Sequence, residues 1–187
     1  MWEKNSKIEN MKIENIKNKD INEIKKLIKK CKELILHTDY TYWTLIYNFK
    51  ELCFLIKKDN KPIGFITGLK SLKNKNTFFI WQLGVLTKYR KKGYATRLIK
   101  KFKNSVIKKR GKKIQFTIEK SNNKSKKLFS KFAKENNYSI KKIGYFGTNK
   151  TKIKKKINPF ANQINIDQLK KLLYNYKKKK KNILILK

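Results

Sequence analysis

The sequence predicts an α/β domain built on a mixed sheet, and three observations carry that expectation. Apolar residues switch repeatedly along the chain between helical spacing and strand alternation. Two short strand-like runs flank the tight turn Lys58-Asp59-Asn60-Lys61, which makes an antiparallel pair. The stretch Phe78 to Phe102 passes from an aromatic and β-branched strand, through a basic turn, into an amphipathic helix. A helix bundle lacks such strands, and a β-sandwich lacks such helices. No internal repeat is visible.

Taken in order, residues 1–10 are polar and expected to fray. Met11 to Ile16 places Met11, Ile13 and Asn15 on one face, as an edge strand does. Asp20 stands at an N-cap position before Ile21, Ile24, Leu27, Ile28 and Cys31, which share one helical face. A second helix follows from about Tyr40 to Phe49. Leu52–Lys57 and Pro62–Leu69 read as the hairpin strands, and Phe78–Leu86 as the next strand. The helix opening at Tyr94 carries Ala95, Leu98, Ile99 and Phe102, and Gly111 fits its C-cap. Lys112 to Glu119 alternates with Ile114, Phe116 and Ile118 on one face. Ser121-Asn122-Asn123 caps a helix bearing Leu128, Phe129, Phe132 and Ala133, and Ser139–Phe146 is a further strand. Thr148–Ile157 reads as a final strand or the start of a tail. Asp167 caps a short amphipathic helix, and a lysine run leads to Asn182-Ile183-Leu184-Ile185-Leu186. The expected organisation is a flexible 1–10, a domain over 11–158 and a Lys-rich extension over 159–187.

The turn Arg90-Lys91-Lys92-Gly93-Tyr94-Ala95 carries the chemistry. Unpaired N–H groups and the positive end of a helix dipole meet cationic side chains there, and position 93 lacks a Cβ. A bulky anion such as a pyrophosphate suits that place. Rival phosphate loops fit badly: there is no G-x-x-x-x-G-K-S/T and no run of three glycines spaced for a dinucleotide. The blander reading is a solvated basic turn between strand and helix.

Composition narrows the classes. Lys and Arg number 51 against 12 acidic residues, for a net charge of +39, which invites a nucleic-acid reading. Yet arginine occurs only at Arg90, Arg97 and Arg110, and alanine only at Ala95, Ala133 and Ala161. Lys, Asn and Ile abound everywhere, so most of the charge reads as compositional bias spread over solvated faces. Any nucleic-acid binding is expected to be nonspecific. Cys31 and Cys53 offer neither a metal spacing nor a disulfide framework, so no metal is expected and the compartment is a reducing one. No signal peptide and no apolar run of membrane-spanning length is visible, which gives a cytoplasmic expectation with no membrane partner.

The pattern R-x-x-G-x-A at Arg90–Ala95, following a strand and opening a helix, resembles the acetyl-CoA signature of the GNAT acyltransferase superfamily. Residues from about Ile13 to Phe146 resemble one of its branches, the L-2,4-diaminobutyrate acetyltransferases of ectoine biosynthesis. His37-Thr38-Asp39-Tyr40-Thr41-Tyr42 is similar to that branch's N-S-x-Y-x-Y. Gly64–Gly68 is similar to G-F-I-S-G, and Phe79–Val85 to F-V-W-Q-V-A-V. Thr117-Ile118 with Asn122, Ser125, Leu128 and Phe129 echoes T-I-T-P-x-N-x-x-S-x-x-L-F. Three departures stand out. Ile35 occupies the place of a substrate-binding Asp, Glu119 that of a Thr, and Thr148–Lys152 lacks the branch's His-Glu pair.

The resemblance implies a twisted, mostly antiparallel sheet with helices on both faces and a V-shaped splay between its two central strands. It implies that the backbone of Leu83, Gly84 and Val85 pairs with the pantetheine arm of acetyl-CoA. Arg90, Lys91, Lys92, Gly93, Tyr94, Ala95 and Thr96 would hold the pyrophosphate, with Asn122 on the arm. Tyr40, Tyr42, Trp81 and Gln82 would line the pocket of a small amine. A homodimer is left open, since such enzymes often dimerise. Glu119 and the single histidine, His37, are the candidate proton acceptors, against the readings of a surface carboxylate and a structural imidazole. Phe129 stands where many GNAT enzymes place a tyrosine acid. The expected activity is 4-N-acetylation of L-2,4-diaminobutyrate. Alternatives are another amine (a protein N-terminus, a lysine, a polyamine or an aminoglycoside) or, from a different class, Lys-rich nucleic-acid binding.

Overall fold

The computed structural model describes residues 11–31, 33–146 and 181–186. They divide into a first compact unit ending at Phe116 and a second from Thr117 to Leu186. The first unit contains β1 (Met11–Asn15), α1 (Ile21–Lys30), α2 (Asp39–Phe49), β2 (Phe54–Lys58), β3 (Lys61–Lys70), β4 (Thr77–Val85), α3 (Tyr94–Lys108) and the start of β5 (Lys113–Glu119). The strands lie in the order β1-β2-β3-β4-β5. Pairing is antiparallel from β1 to β4 and parallel between β4 and β5. That change of direction follows from connectivity, because α3 crosses over between the last two strands.

Helices cover both faces of this sheet, as the resemblance implies. Ile24, Leu27 and Ile28 of α1 and Tyr42, Leu45 and Ile46 of α2 pack with Leu55 and Phe65. On the other face, α3 buries Leu98, Ile99, Phe102 and Val106 over β2, β3 and β4. Phe102 approaches so closely that a Cβ on Gly68 would lie 2.4 Å from its ring. Asp59 and Asn60 take positive φ of 47° and 59°, the pair of left-handed residues that a two-residue hairpin turn requires.

Two capping expectations are corrected. Asp20 does not cap α1 with its side chain; it is buried, and its carboxylate turns back to accept the Lys17 N–H at 2.8 Å. A short 3-10 turn at Asn18–Asp20 intervenes and takes that acceptor first. At the end of α3 the left-handed residue is Arg110, with φ 56°, rather than Gly111. The N–H groups of Arg110 and Gly111 return to the carbonyls of Ile107 and Val106, a Schellman ending with arginine in glycine's usual place. Gly111 is needed for space: a Cβ there would lie 2.4 Å from Val106 and 2.5 Å from Phe78.

In the second unit β5 ends at Glu119, α4 spans Asn123–Glu135, and β6 (Ile140–Phe146) pairs antiparallel with β7 (Lys181–Leu186). Phe129, Phe132 and Ala133 are the buried face of α4. The apolar end of the expected extension is therefore a strand. The expectations for residues 1–10, Thr148–Ile157 and the helix capped by Asp167 lie outside the described residues. Among the described residues no helix is long and apolar enough to cross a membrane.

Candidate functional site

The β4–β5 ladder runs only from Thr77↔Lys113 to Ile80↔Phe116. Beyond it, β4 continues through Trp81 to Val85, still paired with β3 on its other edge. The β3–β4 register steps at this point, so that Thr67 faces Gln82 and Gly68 faces Ile80, leaving Trp81 as a bulged residue. The N–H and C=O groups of Trp81–Val85 on the β5 side thus carry no partner from the ladder. An extended ligand can use them as a strand would. Gly84 is required here, since a Cβ would meet Leu34 at 2.8 Å and Phe65 at 2.9 Å.

After β4 a short 3-10 turn at Thr87–Tyr89 leads to Arg90. Lys91 takes φ 62° and Gly93, at the N-cap of α3, takes φ 80°. No side chain caps this helix, and no acid lies in its first turn. Among the described residues nothing approaches within 4 Å of the place a Cβ on Gly93 would occupy, so glycine serves conformation here. The first N–H groups of α3 lack helical acceptors, as they must. Buried Tyr94 fixes the turn by an edge contact with Tyr89, while the Lys91 and Lys92 side chains are exposed. A phosphate group fits this cradle of main-chain N–H groups and cations.

The Arg90 side chain points elsewhere. Its Nη1 and Nη2 donate to the two carboxylate oxygens of Glu33 at 2.8 and 2.9 Å, and its Nε donates to the Val85 carbonyl at 3.0 Å. The Glu33 carboxylate raises the Arg90 pKa above its usual value. Burial pushes the neighbouring Cys31 thiol up, with Arg90 opposing it.

Four of the sequence-predicted acceptor-side residues come together on the α1/α2 face of β4. Tyr42 is fully buried, receives the His37 main-chain N–H at 3.0 Å and donates to Gln82 Oε1 at 3.4 Å. Gln82 Nε2 donates to the Ile35 carbonyl at 2.6 Å. The His37 ring lies 5.3 Å from the Trp81 ring. The Trp81 indole N–H is buried and finds no acceptor among the described residues, a donor that a ligand oxygen would satisfy. Tyr40 does not join this group. It is 64% exposed and stacks towards Trp43 on the outside of α2, in a groove with Asn18, Ile21 and Asn22.

In the second unit Glu119 is the half-buried last residue of β5, and its carbonyl accepts the Asn122 N–H. Asn122 caps α4, its Oδ1 accepting the Ser125 N–H at 3.0 Å. That leaves the amide nitrogen of Asn122 as the atom it can offer a ligand. Among the described residues no cluster of three His, Cys, Asp or Glu side chains is placed to hold a metal ion. Sequence reasoning missed Glu33, whose only signal is a lone acid after a run of lysines, and missed the bulge that turns both Trp81 and Gln82 to one face.

Comparison with known proteins gives the following. The model of the acetyltransferase (GNAT) family matches residues 21–133. An L-2,4-diaminobutyric acid acetyltransferase of Marinococcus halophilus is 33% identical over 100 residues, 54% of this chain and 58% of that protein. One from Shouchella clausii is 32% identical over 104 residues, 56% of this chain and 58% of that protein. The chain thus spans just over half the length of these curated relatives. Among solved structures, diaminobutyrate acetyltransferase from Paenibacillus lautus, in complex with L-2,4-diaminobutyric acid and coenzyme A, superposes with a TM-score of 0.74 at 20% identity, covering 95% of each chain. Ard1 from Thermoplasma volcanium does so with a TM-score of 0.68 at 13% identity, covering 94% of this chain and 97% of that one. At such identities the likeness is one of fold.

Proposed function

The chain belongs to the GNAT acetyltransferase family, and from that premise we propose that it transfers an acetyl group from acetyl-CoA to a primary amine of a small diamino acid. The 4-amino group of L-2,4-diaminobutyrate is the best single acceptor. The observation that carries the donor side is the β4 edge at Trp81–Val85, leading through the turn Thr87–Gly93 into an acid-free helix N-terminus. The edge suits an amide-bearing pantetheine arm, and the turn Arg90–Thr96 suits the diphosphate through its main-chain N–H groups. The acceptor side is supported by the named relatives and by the group Tyr42, Gln82, Trp81 and His37.

Each residue then has a defined task. Leu83, Gly84 and Val85 align the arm, and a main-chain N–H near Val85 stabilises the charge that develops on the thioester oxygen. Trp81 packs along the acceptor's methylene chain and attracts its ammonium. Such an ammonium has a pKa of about 10, so it must lose a proton before its nitrogen attacks. We assign that removal to Glu119, directly or through water, with His37 as the second candidate. CoA thiolate leaves readily enough that Phe129 in place of a tyrosine acid is tolerable.

The experiment is release of free thiol from acetyl-CoA against a panel of diamino acids, polyamines, aminoglycosides and peptides. The reading requires turnover fastest with diaminobutyrate, and a peptide as best acceptor overturns that choice. Glu119→Gln is expected to lower kcat at neutral pH and to recover as pH rises. An unaltered pH profile moves the role to His37.

A further inference from the structure

The Arg90 side chain has a use that the donor turn does not need. Three of the five N–H groups of its guanidinium are committed to Glu33 and to the Val85 carbonyl, in a two-pronged carboxylate pairing that fixes orientation as well as distance. Its side chain is 28% exposed and that of Glu33 is 41% exposed, so the pair is partly shielded from solvent. A diphosphate could reach only the two N–H groups that remain, unless it displaced a carboxylate already held at 2.8 and 2.9 Å. The Lys91 and Lys92 side chains are exposed beside it and need displace nothing of the kind.

Glu33 lies in the loop between α1 and α2, and that loop also carries Ile35 and His37. Its other attachments also lead back to β4. Gln82 holds the Ile35 carbonyl, and Tyr42, hydrogen-bonded to Gln82, holds the His37 N–H. The loop is thus fixed at two points to the strand that runs into the donor turn: at Gln82 through side-chain amide chemistry, and at Val85 through Arg90.

We propose that Arg90 and Glu33 are a positioning pair that holds residues 33–37 against the end of β4, so that the wall of the acceptor pocket is set by the same turn that receives the donor. The pair touches neither reactant; it acts through the loop. Its kinetic consequence rests on the acetyl-transfer reading above, whereas its structural consequence does not.

The test compares Glu33→Gln and Arg90→Lys with the parent chain. In the unliganded protein, NMR hydrogen exchange of the His37 amide reports directly on the loop, because that N–H is bonded to Tyr42. Both substitutions are expected to speed its exchange at least tenfold while leaving amides inside α3 unchanged. With ligands, acceptor KM is expected to rise about tenfold, while calorimetric Kd for CoA stays within about twofold of the parent. The double variant should be no worse than either single one. Unchanged His37 exchange overturns the proposal. So does an Arg90→Lys variant that loses tenfold or more in CoA affinity with acceptor KM unmoved, since the guanidinium would then be serving phosphate. If the parent chain releases no thiol with any amine, acetyl transfer fails as a reading, and the exchange comparison still decides the pair.

Discussion

At the scale of single residues, position 93 combines two requirements that different substitutions separate. The backbone there sits at φ 80°, and the space beside it is open. An L-residue costs roughly 1–2 kcal/mol in that conformation, and asparagine tolerates it better than most. Gly93→Asn should therefore keep most CoA affinity, whereas Gly93→Asp adds a negative charge where the diphosphate is proposed to sit and should abolish the calorimetric signal. Equal loss in both would mean that the turn, and not the charge, is what fails. Trp81 separates the two substrates in the same way. It lies beside His37, where the acceptor is proposed to bind, so Trp81→Ala should raise acceptor KM tenfold or more with acetyl-CoA KM within about twofold. Damage to both constants together would indicate lost folding. Tyr42→Phe removes one hydroxyl but disconnects two partners, the His37 N–H and Gln82 Oε1. Leaving these unpaired in a buried place costs roughly 1–3 kcal/mol, to be read as a fall in urea midpoint.

At the scale of elements, the sequence was most informative where local chemistry decides the outcome. The Asp59-Asn60 turn, the helical face from Leu98 to Phe102 and the alternation of Ile114, Phe116 and Ile118 were legible because each is a short-range pattern. Where a distant neighbour decides, the pattern misled or was silent. Gly111 reads as a cap, yet its missing Cβ makes room for Phe78, more than thirty positions away in the chain. Asp20 is the local exception: it reads as a cap, yet its carboxylate finds the Lys17 N–H, three residues back, first. The Trp81 bulge breaks the period of two, so no alternation rule could put Trp81 and Gln82 on one face. The β4 end and basic turn of the candidate site were visible in sequence, but the Glu33–Arg90 pair that joins turn to loop was not. The end of α3 offers a direct check. Gly111→Ala forces a methyl against Val106 and Phe78 and should cost about 1–3 kcal/mol. Arg110→Gly relieves a left-handed arginine at φ 56° and should stabilise by roughly 0.5–1 kcal/mol. Thermal midpoints moving in opposite directions at adjacent positions would confirm that the cap and the glycine are separate devices.

At the scale of the whole molecule, charge sets how stability responds to its surroundings. With 51 basic and 12 acidic residues, each carboxylate is an uncommon relief from self-repulsion. Glu14 on β1 is the clearest case. Its side chain bonds Lys57 across the β1–β2 pair and lies 3.2 Å from Lys12. The Lys57 ammonium holds the Glu14 carboxyl below the usual range, outweighing partial burial, and Glu14 in turn raises Lys57. A depressed carboxyl stabilises the fold above its unfolded pKa of about 4.3. That contribution falls away as pH drops through the folded value, and acidification then leaves Lys12 and Lys57 facing each other across the sheet. The urea midpoint should therefore fall steeply below about pH 4.3, and Glu14→Gln should be less stable at pH 7 but lose less on acidification. Salt separates this local pairing from the global repulsion. Raising ionic strength screens the repulsion among the 51 basic side chains and should lift the thermal midpoint at pH 3, where carboxylates no longer help. At pH 7 screening weakens the ion pairs as well as the repulsion, so the gain should be smaller. A midpoint insensitive to salt at pH 3 would mean that the lysines lie too far apart to matter to the fold, and that the acid transition belongs to Glu14 and its neighbours alone.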